Sequence, residues 1–540
     1  MSVKTIPYSE TNYFSKLVCD YLSEKPELQS FYNRFPKLEN FEGQLNEKSL
    51  SVRALRLRSG QAPSRTILKE VLNTHQYQNL TVSKATQNNI NLLSKDTTFT
   101  ITTGHQLNLF TGPLYFLYKI FSVINLSEEL NKKHSNNHFV PVYWMATEDH
   151  DFDEINYFNI FGKKIEWKRN ASGAVGELAT EGLEELLNKL KSELGNSENA
   201  QKLITLFSEA YIKHNNLADA TRYLANELFK DYGLVIIDGN DHDLKQQFIP
   251  YAEKELTENL AFNIINKTTE KLENLGFKRQ VNPREINLFY LKENLRERII
   301  EEEGVYKINN TELTFSKEEI LKELQEFPER FSPNALLRPL FQEVVLPNLC
   351  YVGGGGELAY WFQLKEYFEN VEVTFPMLLL RNSVLLVPKK LSKKLAKLNE
   401  EIESLFLSPY DLEKKHTLQL SNIKIDFTPQ REHLKKQFKD LYKVAKKTDQ
   451  SFLGAVAAQE KKQLNGLDYL EKRLLKAEKR KLADQLNRLT SIQDELFPIE
   501  SLQERTVNFS EFYLEFGDRL LQDLKEGLNP LVNEFTVLEL

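Results

Sequence analysis

The chain has 540 residues, of which 41% are apolar and 27% charged, with 34 Phe and 22 Tyr. This composition excludes a disordered chain, and the length indicates more than one structural unit. The net charge of −7 argues against nucleic acid or an anionic membrane as a partner. Two distant cysteines, Cys19 and Cys350, form neither a disulfide framework nor a zinc motif. The most apolar run, Met377–Val387, is too short to span a membrane and the start lacks a signal-peptide core, so we expect a soluble cytoplasmic protein.

The first regular elements predict a βαβ unit. Thr98–Thr102 is typical of a buried strand, Pro113–Lys132 has helical spacing of its apolar residues, and Phe139–Ala146 is apolar enough for an interior parallel strand. Strand, helix and strand at this spacing form a right-handed crossover. We therefore expect a parallel sheet to start here.

Glycines and polar residues follow the first strand directly. Free N–H groups at a helix start attract phosphate or carboxylate, and glycine lets the backbone approach a ligand closely. His105 is a candidate catalytic residue that donates to a developing charge on a phosphoryl or acyl group. The alternative is a turn whose histidine caps the helix. The predicted ligand-binding residues of this loop are Thr103, Gly104, Gln106, Asn108 and Gly112.

An acidic segment, residues 148–154, follows the second strand. Its five carboxylates and one histidine repel one another unless a cationic substrate group, a divalent ion or nearby Lys and Arg compensate their charge. Asp149 and His150 are predicted catalytic residues, as candidate general bases, and Glu148 and Asp151 are predicted to bind an amine of the substrate. No metal-ligand set is predicted, the metal requirement stays open, and a solvated acidic loop is the alternative.

Two charged segments, about 162–223 and 260–340, are predicted insertions that cover or flank the site. Between and after them, Leu234–Asp238 and Leu349–Val352 are typical of further strands that end in polar or glycine-rich turns. The predicted fold class is therefore α/β, with a Rossmann-like doubly wound parallel sheet over residues 1–385.

Four consecutive glycines follow the strand at Leu349–Val352. A run of glycines costs conformational entropy, so it indicates a task that requires a bare backbone, such as contact with a ligand at a strand-to-helix turn. A flexible loop without a ligand is the alternative. The predicted binding residues here are Gly353, Gly354, Gly355, Glu357 and Tyr360.

Residues 386–498 have the leucine spacing of a coiled coil. A break near Thr448–Gly454 predicts two arms of an antiparallel hairpin, and an ordinary helical bundle is the alternative. Residues 499–540 return to a mixed texture and are predicted to pack on the core. The residues with heptad spacing are Leu391, Leu395, Leu398, Ile402 and Leu405, then Leu475, Leu482, Leu489 and Leu496.

Taken in this order, the motifs resemble the BshC family, the cysteine ligases of bacillithiol synthesis, over nearly the whole chain from about residue 8. The segment EDHDFDEIN (148–156) is the most specific of these motifs. The stretches that carry the resemblance are TGHQLNLFTGPLYFLYKI (103–120), VPVYWMATEDHDFDEIN (140–156), YVGGGGELAYW (351–361), LLKAEKRK (474–481) and LFPIESLQER (496–505).

The resemblance implies a core related to nucleotidyl transferases and class I aminoacyl-tRNA synthetases, and a coiled coil that supports a homodimer. It implies amide formation between L-cysteine and glucosaminyl-malate, with ATP or ADP as the nucleotide and a cysteinyl-adenylate or acyl-phosphate as the activated carboxyl. His105 would then match the phosphate-contacting histidine of those relatives. Two alternatives remain: a nucleotidyl or phosphoryl transferase with another acceptor, and a nucleotide-binding coiled-coil scaffold.

Overall fold

A computed structural model describes the backbone of residues 1–59 and 64–540 and the side chains of residues 1–50 and 65–540. The chain forms two compact units. The first contains Met1–Ser9, Tyr13–Leu385 and Leu502–Leu538, and the second contains Glu10–Asn12, Leu386–Ser501 and Glu539–Leu540. Among the helices of these described ranges, none has the length and apolarity needed to cross a membrane.

The first unit is built on a five-stranded parallel sheet with the order β5-β4-β1-β2-β3. Three of its strands are buried along their whole length, as expected for a sheet covered on both faces. The five strands are β1 (Thr98–His105), β2 (His138–Met145), β3 (Val235–Asp238), β4 (Asn348–Gly353) and β5 (Met377–Leu380).

The strand order reverses between β1 and β4. From β1 the chain moves outward through β2 to β3, and it then returns to the other side of β1 to form β4 and β5. This arrangement confirms the predicted doubly wound sheet. Such a reversal leaves a crevice at the carboxyl ends of the two strands, and ligands of open α/β sheets bind there.

Three helices position the residues at this crevice. Helix α1 (Tyr115–Lys133) joins β1 to β2 and buries most of its first three turns. It begins two residues later than predicted, because Pro113 and Leu114 complete the turn after Gly112, whose φ is +62°. Helix α2 (Arg338–Val345) precedes β4, and helix α3 (Gly355–Trp361) follows it.

The segments between the sheet strands carry their own secondary structure. The hairpin Tyr157–Ile160 and Lys163–Glu166 leads into three helices, Leu183–Leu194, Glu198–Tyr211 and Leu217–Phe229. Residues 288–333 form an antiparallel sheet. In spatial order its strands are Thr314–Phe315, Val305–Ile308, Leu295–Glu302, Leu288–Lys292 and Phe331–Pro333.

The remaining α-helices of the first unit are Lys16–Leu22, Phe41–Ser59, Ser64–Val71, Lys84–Leu92, Phe152–Ile155, His242–Gln246, Ile249–Glu258, Leu260–Asn274, Lys317–Glu326, Lys365–Asn370, Gln503–Thr506, Phe509–Phe516 and Arg519–Gly527. Its first and last strands are Ser2–Pro7 and Glu534–Glu539. Strand Val384–Val387 leads the chain into the second unit.

The second unit is mainly helical. Helices α4 (Thr428–Ala445) and α5 (Gln450–Lys481) form an antiparallel hairpin around a small core of Phe438, Ala445 and Val456. Contacts between the two helices fit this antiparallel direction. Near the start of α4, Arg431 pairs with Asp468 and Glu471 in the second half of α5. Near the end of α4, the Tyr442 hydroxyl donates to Glu460 in the first half of α5. The other helices are Lys389–Lys397, Pro409–Leu420 and Ala483–Leu496.

The predicted heptad at Leu391–Leu405 is wrong as a continuous helix. The helix ends at Lys397, Asn399 adopts a left-handed conformation with φ +54°, and a 3-10 turn covers Ile402–Phe406. Glu400 is buried in this break and bonds His416 at 2.8 Å. The leucines at 475, 489 and 496 are buried, and Leu482 lies at the junction of two helices.

Candidate functional site

A cavity of about 440 Å³ lies at the carboxyl ends of β1, β2 and β4, where the strand order reverses. Its walls also include Arg296 and residues 333–335 from the antiparallel sheet and the turn after it. Sequence-predicted residues that line the cavity are Gly104, His105, Gln106, Glu148, Asp149, Gly354, Gly355, Glu357 and Tyr360.

His105 is the last residue of β1 and is 6% exposed. Its ring packs against the rings of Tyr115 and Phe116, with centroids 5.4 and 4.9 Å away. Burial lowers the pKa of His105 well below its usual range, and the charges of Lys119 and Arg381 lower it further. The imidazole is therefore neutral at physiological pH. Its buried Nε2 has no hydrogen-bond partner among the described residues.

The other predicted residues of this loop have different surroundings. Gln106 donates to Glu154 at 2.8 Å and to Asp149 at 3.2 Å, and so connects the loop to the acidic segment. The Thr103 hydroxyl is buried and donates to the carbonyl of Val352 at 2.7 Å.

Asn108 and Gly112 shape the turn and do not line the cavity. Asn108 donates to the carbonyl of Glu154 at 3.2 Å. Gly112 has φ +62° and lies so close to Asn108 that an added Cβ would be 2.6 Å from the Asn108 Cβ. The turn therefore requires glycine for its conformation and for its packing.

Lys119 of α1 connects the loops after β1 and β4. Its Nζ donates to the carbonyl of Gly104 at 2.7 Å and pairs with Glu357 at 2.6 Å. Glu357 also accepts from the Gly354 N–H at 2.8 Å and from the Tyr351 hydroxyl at 2.7 Å. Burial favours the neutral acid, but Lys119 and these hydrogen bonds hold the pKa of Glu357 below its usual value. The two loops are thus fixed by an ion pair.

The glycine-rich turn contributes backbone to the cavity wall, although one of its N–H groups is already used by Glu357. Gly353 is packed between Tyr351 and Glu357, and a Cβ there would lie 3.0 Å from the Tyr351 ring. Tyr360 lies beside the Arg338 guanidinium, and burial raises the pKa of its hydroxyl.

The acidic segment is compensated by cations of the same chain. Glu148 forms an ion pair with Lys245, whose side chain is 1% exposed. Asp149 lies 4.0 Å from the guanidinium of Arg296 and accepts from the His150 N–H at 2.8 Å. Nearby Lys and Arg, one of the kinds of compensating group that the sequence allows, are therefore part of this site.

His150 and Asp151 lie outside the cavity. The His150 side chain is 44% exposed, hydrogen-bonds to Arg296 and packs beside Phe289. The Asp151 side chain is 55% exposed, and burial together with the nearby Asp149 raises its pKa. Within this segment, Glu148 and Asp149 are therefore the carboxylates on the cavity wall.

The cations of the cavity were not among the residues predicted from the sequence. They come from five separate segments, and three of them had a signal there: Lys119, Arg338 and Arg381 each interrupt a strongly apolar run. Arg296 and Arg505 lie in polar segments with no comparable signal. The cations that line the cavity are Lys119, Arg296, Arg338, Arg381 and Arg505.

Comparison with known proteins identifies the family. The model of the bacillithiol biosynthesis BshC N-terminal Rossmann-like domain matches residues 1–382, and that of the C-terminal coiled-coil domain matches residues 384–540.

Curated relatives named "Putative cysteine ligase BshC" align over the full length. The protein of Christiangramia forsetii is 54% identical, over 100% of this chain and 99% of the relative. That of Flavobacterium johnsoniae is 55% identical over 100% of both, and that of Cytophaga hutchinsonii is 39% identical over 98% and 97%. The chain therefore belongs to the bacillithiol biosynthesis BshC family and is an enzyme of the ligase class.

Proposed function

We propose that this ligase forms the amide bond between L-cysteine and the amino group of glucosaminyl-malate and so produces bacillithiol. The single observation that carries the proposal is one cavity, at the strand reversal, that combines Asp149, the neutral His105 and several cations. A carboxylate suits an amine, and cations suit the acidic groups of malate and of an activated carboxyl. The names of the relatives support cysteine as the second substrate.

Asp149 is the carboxylate that we assign to the amine. Glu148 makes a close ion pair with the buried Lys245, whereas Asp149 lies 4.0 Å from the Arg296 guanidinium. Asp151 does not line the cavity. Asp149 is held from two sides, by Gln106 and by the His150 N–H, and keeps contact with the cavity. In that position it accepts a hydrogen bond from the ammonium and takes the proton that the amine must lose before it attacks a carbonyl carbon.

His105 is assigned to the oxygen of the carbonyl under attack. A neutral imidazole with a proton on Nε2 donates one hydrogen bond and brings no charge into the cavity. Its Nε2 has no competing partner among the described residues, and the rings of Tyr115 and Phe116 hold its orientation. A fixed donor of this kind stabilises the negative charge that develops on the oxygen during acyl transfer.

Amide formation in water requires an activated carboxyl group, and ATP supplies that activation when it is bound. One feature of the cavity fits a phosphate-bearing ligand: the buried Arg338 Nη2 has no hydrogen-bond partner in the described part of the chain. Lys119, Arg338, Arg381 and Arg505 are the residues that would face the phosphates. We also infer a homodimer formed through the coiled coil, acting in the cytoplasm.

The test is a thiol profile by mass spectrometry in a strain that lacks the gene. We expect glucosaminyl-malate to accumulate, bacillithiol to disappear, and the wild-type gene to restore it. His105→Ala and Asp149→Asn should fail to restore it, whereas Asp151→Asn, a matched change outside the cavity, should succeed. An unchanged thiol pool in the strain without the gene would contradict the proposed reaction. Restoration by Asp149→Asn would contradict the role of that carboxylate.

A further inference from the structure

The cations of the cavity differ in whether a carboxylate already neutralises them. Lys119 pairs with Glu357 at 2.6 Å, and Arg381 forms a two-pronged ion pair with Glu504 at 2.8 and 3.0 Å. Arg296 lies beside Asp149. These three charges are partly balanced within the protein, so an anionic ligand gains less from each of them than from an unpaired cation.

Arg338 and Arg505 are different. Among the residues that the structure describes, neither has a carboxylate within ion-pair distance, although both line the cavity. An unmatched guanidinium in a partly desolvated cavity is costly unless a ligand supplies the counter-charge. Two of them lining one cavity therefore indicate a binding position for an anionic group.

A hydrogen bond and an aromatic contact fix the orientation of the Arg338 side chain. Nη1 donates to Gln342 at 2.9 Å, and the guanidinium carbon lies 5.6 Å from the centre of the Tyr351 ring. The second terminal nitrogen, Nη2, is buried and makes no hydrogen bond to any described residue. Gly104 lies next to this side chain, since an added Cβ there would lie 3.1 Å from the Tyr351 hydroxyl and 3.6 Å from Nη1. Arg338 is thus held in place with one donor nitrogen unused.

Arg505 follows Glu504, the residue whose carboxylate is fully occupied by Arg381 and by the N–H of Val384 at 3.0 Å. Its side chain reaches the cavity wall from the short helix Gln503–Thr506, and the residue is exposed. It has neither a hydrogen bond nor an ion pair to another described side chain. This cation is available to a ligand that enters from solvent.

We propose that Arg338 and Arg505 together bind an anionic oxygen group of the ligand, a carboxylate or a phosphate, and thereby determine which ligands the cavity accepts. A guanidinium offers two parallel N–H donors to either group, and this geometry distinguishes arginine from lysine. The choice of candidate ligands rests on the proposed function: the carboxylates belong to the malyl part of the acceptor, and the phosphates belong to ATP.

The experiment is isothermal titration calorimetry of the full chain with three probes, L-malate, inorganic phosphate and ADP. Arg338→Gln and Arg505→Gln are compared with the wild type and with Arg519→Gln. Arg519 is a control arginine of the first unit, paired with Asp523 and outside the cavity. We expect at least one probe to bind the wild type and the control equally, and to bind each cavity variant at least tenfold more weakly. Arg338→Lys should recover only part of this loss.

The three probes distinguish the source of the anion. An effect on malate alone assigns the position to the substrate carboxylates, and an effect on phosphate and ADP assigns it to the nucleotide. Equal affinity of all variants for every probe that binds, or no binding of any probe to the wild type at millimolar concentration, would overturn the inference. Arg505→Gln changes an exposed side chain, so the test does not depend on the folding of Arg338→Gln.

Failure of this inference differs from failure of the proposed reaction. If the arginine variants bind the probes normally and restore bacillithiol in the strain that lacks the gene, the inference is wrong and the ligase reaction stands. If probe binding depends on the two arginines but loss of the gene leaves the thiol pool unchanged, the reaction is wrong and the anion position stands.

Discussion

His105 is buried beside two cations, and these surroundings determine how it responds to pH. Its pKa is lowered in the folded protein by burial and by Lys119 and Arg381. In the unfolded chain the same side chain has its ordinary pKa of about 6.5. Below that pH the unfolded chain therefore binds a proton that the folded protein does not bind, so acid favours unfolding.

The corresponding prediction compares the wild type with His105→Asn in urea denaturation at pH 7 and pH 5.5. Between these values the free energy of unfolding of the wild type should fall by about 1 kcal/mol more than that of the variant. The other histidines are present in both proteins, so their contributions cancel. Equal falls in the two proteins would show that His105 is protonated in the folded state.

The Lys119–Glu357 pair gives a second prediction. Lys119→Met leaves Glu357 without its main counter-charge, and Glu357→Gln leaves a 5% exposed ammonium beside a neutral amide. Each single change should cost about 2–4 kcal/mol, below the figure for a fully buried pair because the Glu357 side chain is 25% exposed.

The double variant is the control for that experiment. Lys119→Met combined with Glu357→Gln should cost clearly less than the sum of the single changes, because no charge is left unmatched. Chemical denaturation measures all four proteins. Strict additivity would mean that the two side chains do not act as a pair.

The turn before α1 depends on Gly112. Alanine at this position must adopt φ +62° and brings its Cβ against the Cβ of Asn108. Gly162 is the control, because it also has a positive φ, +72°, and no atom lies within 4 Å of an added Cβ. Gly162→Ala therefore reports the strain of a positive φ without steric overlap, about 1 kcal/mol.

Gly112→Ala should cost about 2–3 kcal/mol, because steric overlap adds to the strain. The measurement is the free energy of unfolding from urea denaturation. Since the turn follows the loop that holds His105, Gly112→Ala should also reduce restoration of bacillithiol, whereas Gly162→Ala should not. Equal costs for the two alanine variants would show that Asn108 moves aside freely.

Buried strands could be predicted from the sequence, and the points where helices end could not. Phe139–Ala146 was recognisable because a sheet covered on both faces requires an apolar strand. Thr98–Thr102 was recognisable because it alternates β-branched threonine with apolar residues. The prediction of a continuous helix from the leucine spacing at Leu391–Leu405 was wrong, because spacing does not show whether the backbone stays helical. There, Asn399 turns left-handed.

The loops that line the cavity could be predicted from the sequence, but the cations that line it could not. Loops at strand ends are recognised locally, so His105, Asp149 and Glu357 were found from the motifs that contain them. The cations reach the same cavity from segments far apart in sequence, and only the tertiary structure shows which carboxylate each one meets. Arg338 interrupts an apolar run and Arg505 lies in a polar segment, but neither pattern shows that the two side chains line the same cavity.

The homodimer formed through the coiled coil stays a prediction. Exposed apolar side chains of α4 allow a test of it. Leu441 and Val444 are three residues apart, so they share one face of the helix, and they are 48% and 57% exposed. Light scattering after size exclusion should give twice the chain mass of 63.0 kDa for the wild type.

Replacement of both residues, Leu441→Asp with Val444→Asp, should give the mass of a single chain, because charge on an apolar contact opposes association. Leu275→Asp, at a 39% exposed leucine of the first unit, is the control and should leave the mass unchanged. A wild type with the mass of one chain would show that the coiled coil does not associate under these conditions.

The ion pair between Arg381 and Glu504 has a consequence for synthesis on the ribosome. The two residues are 123 positions apart in the chain. At a translation rate of roughly 5–20 residues per second, Arg381 leaves the ribosome about 6–25 s before its partner. During that interval the carboxylate partner of Arg381 has not been synthesised, and Arg505 has not yet been added to the cavity wall. The first unit therefore completes its core only after the entire coiled coil has been synthesised, and truncation of the last 40 residues would leave even a well-formed sheet without a finished cavity.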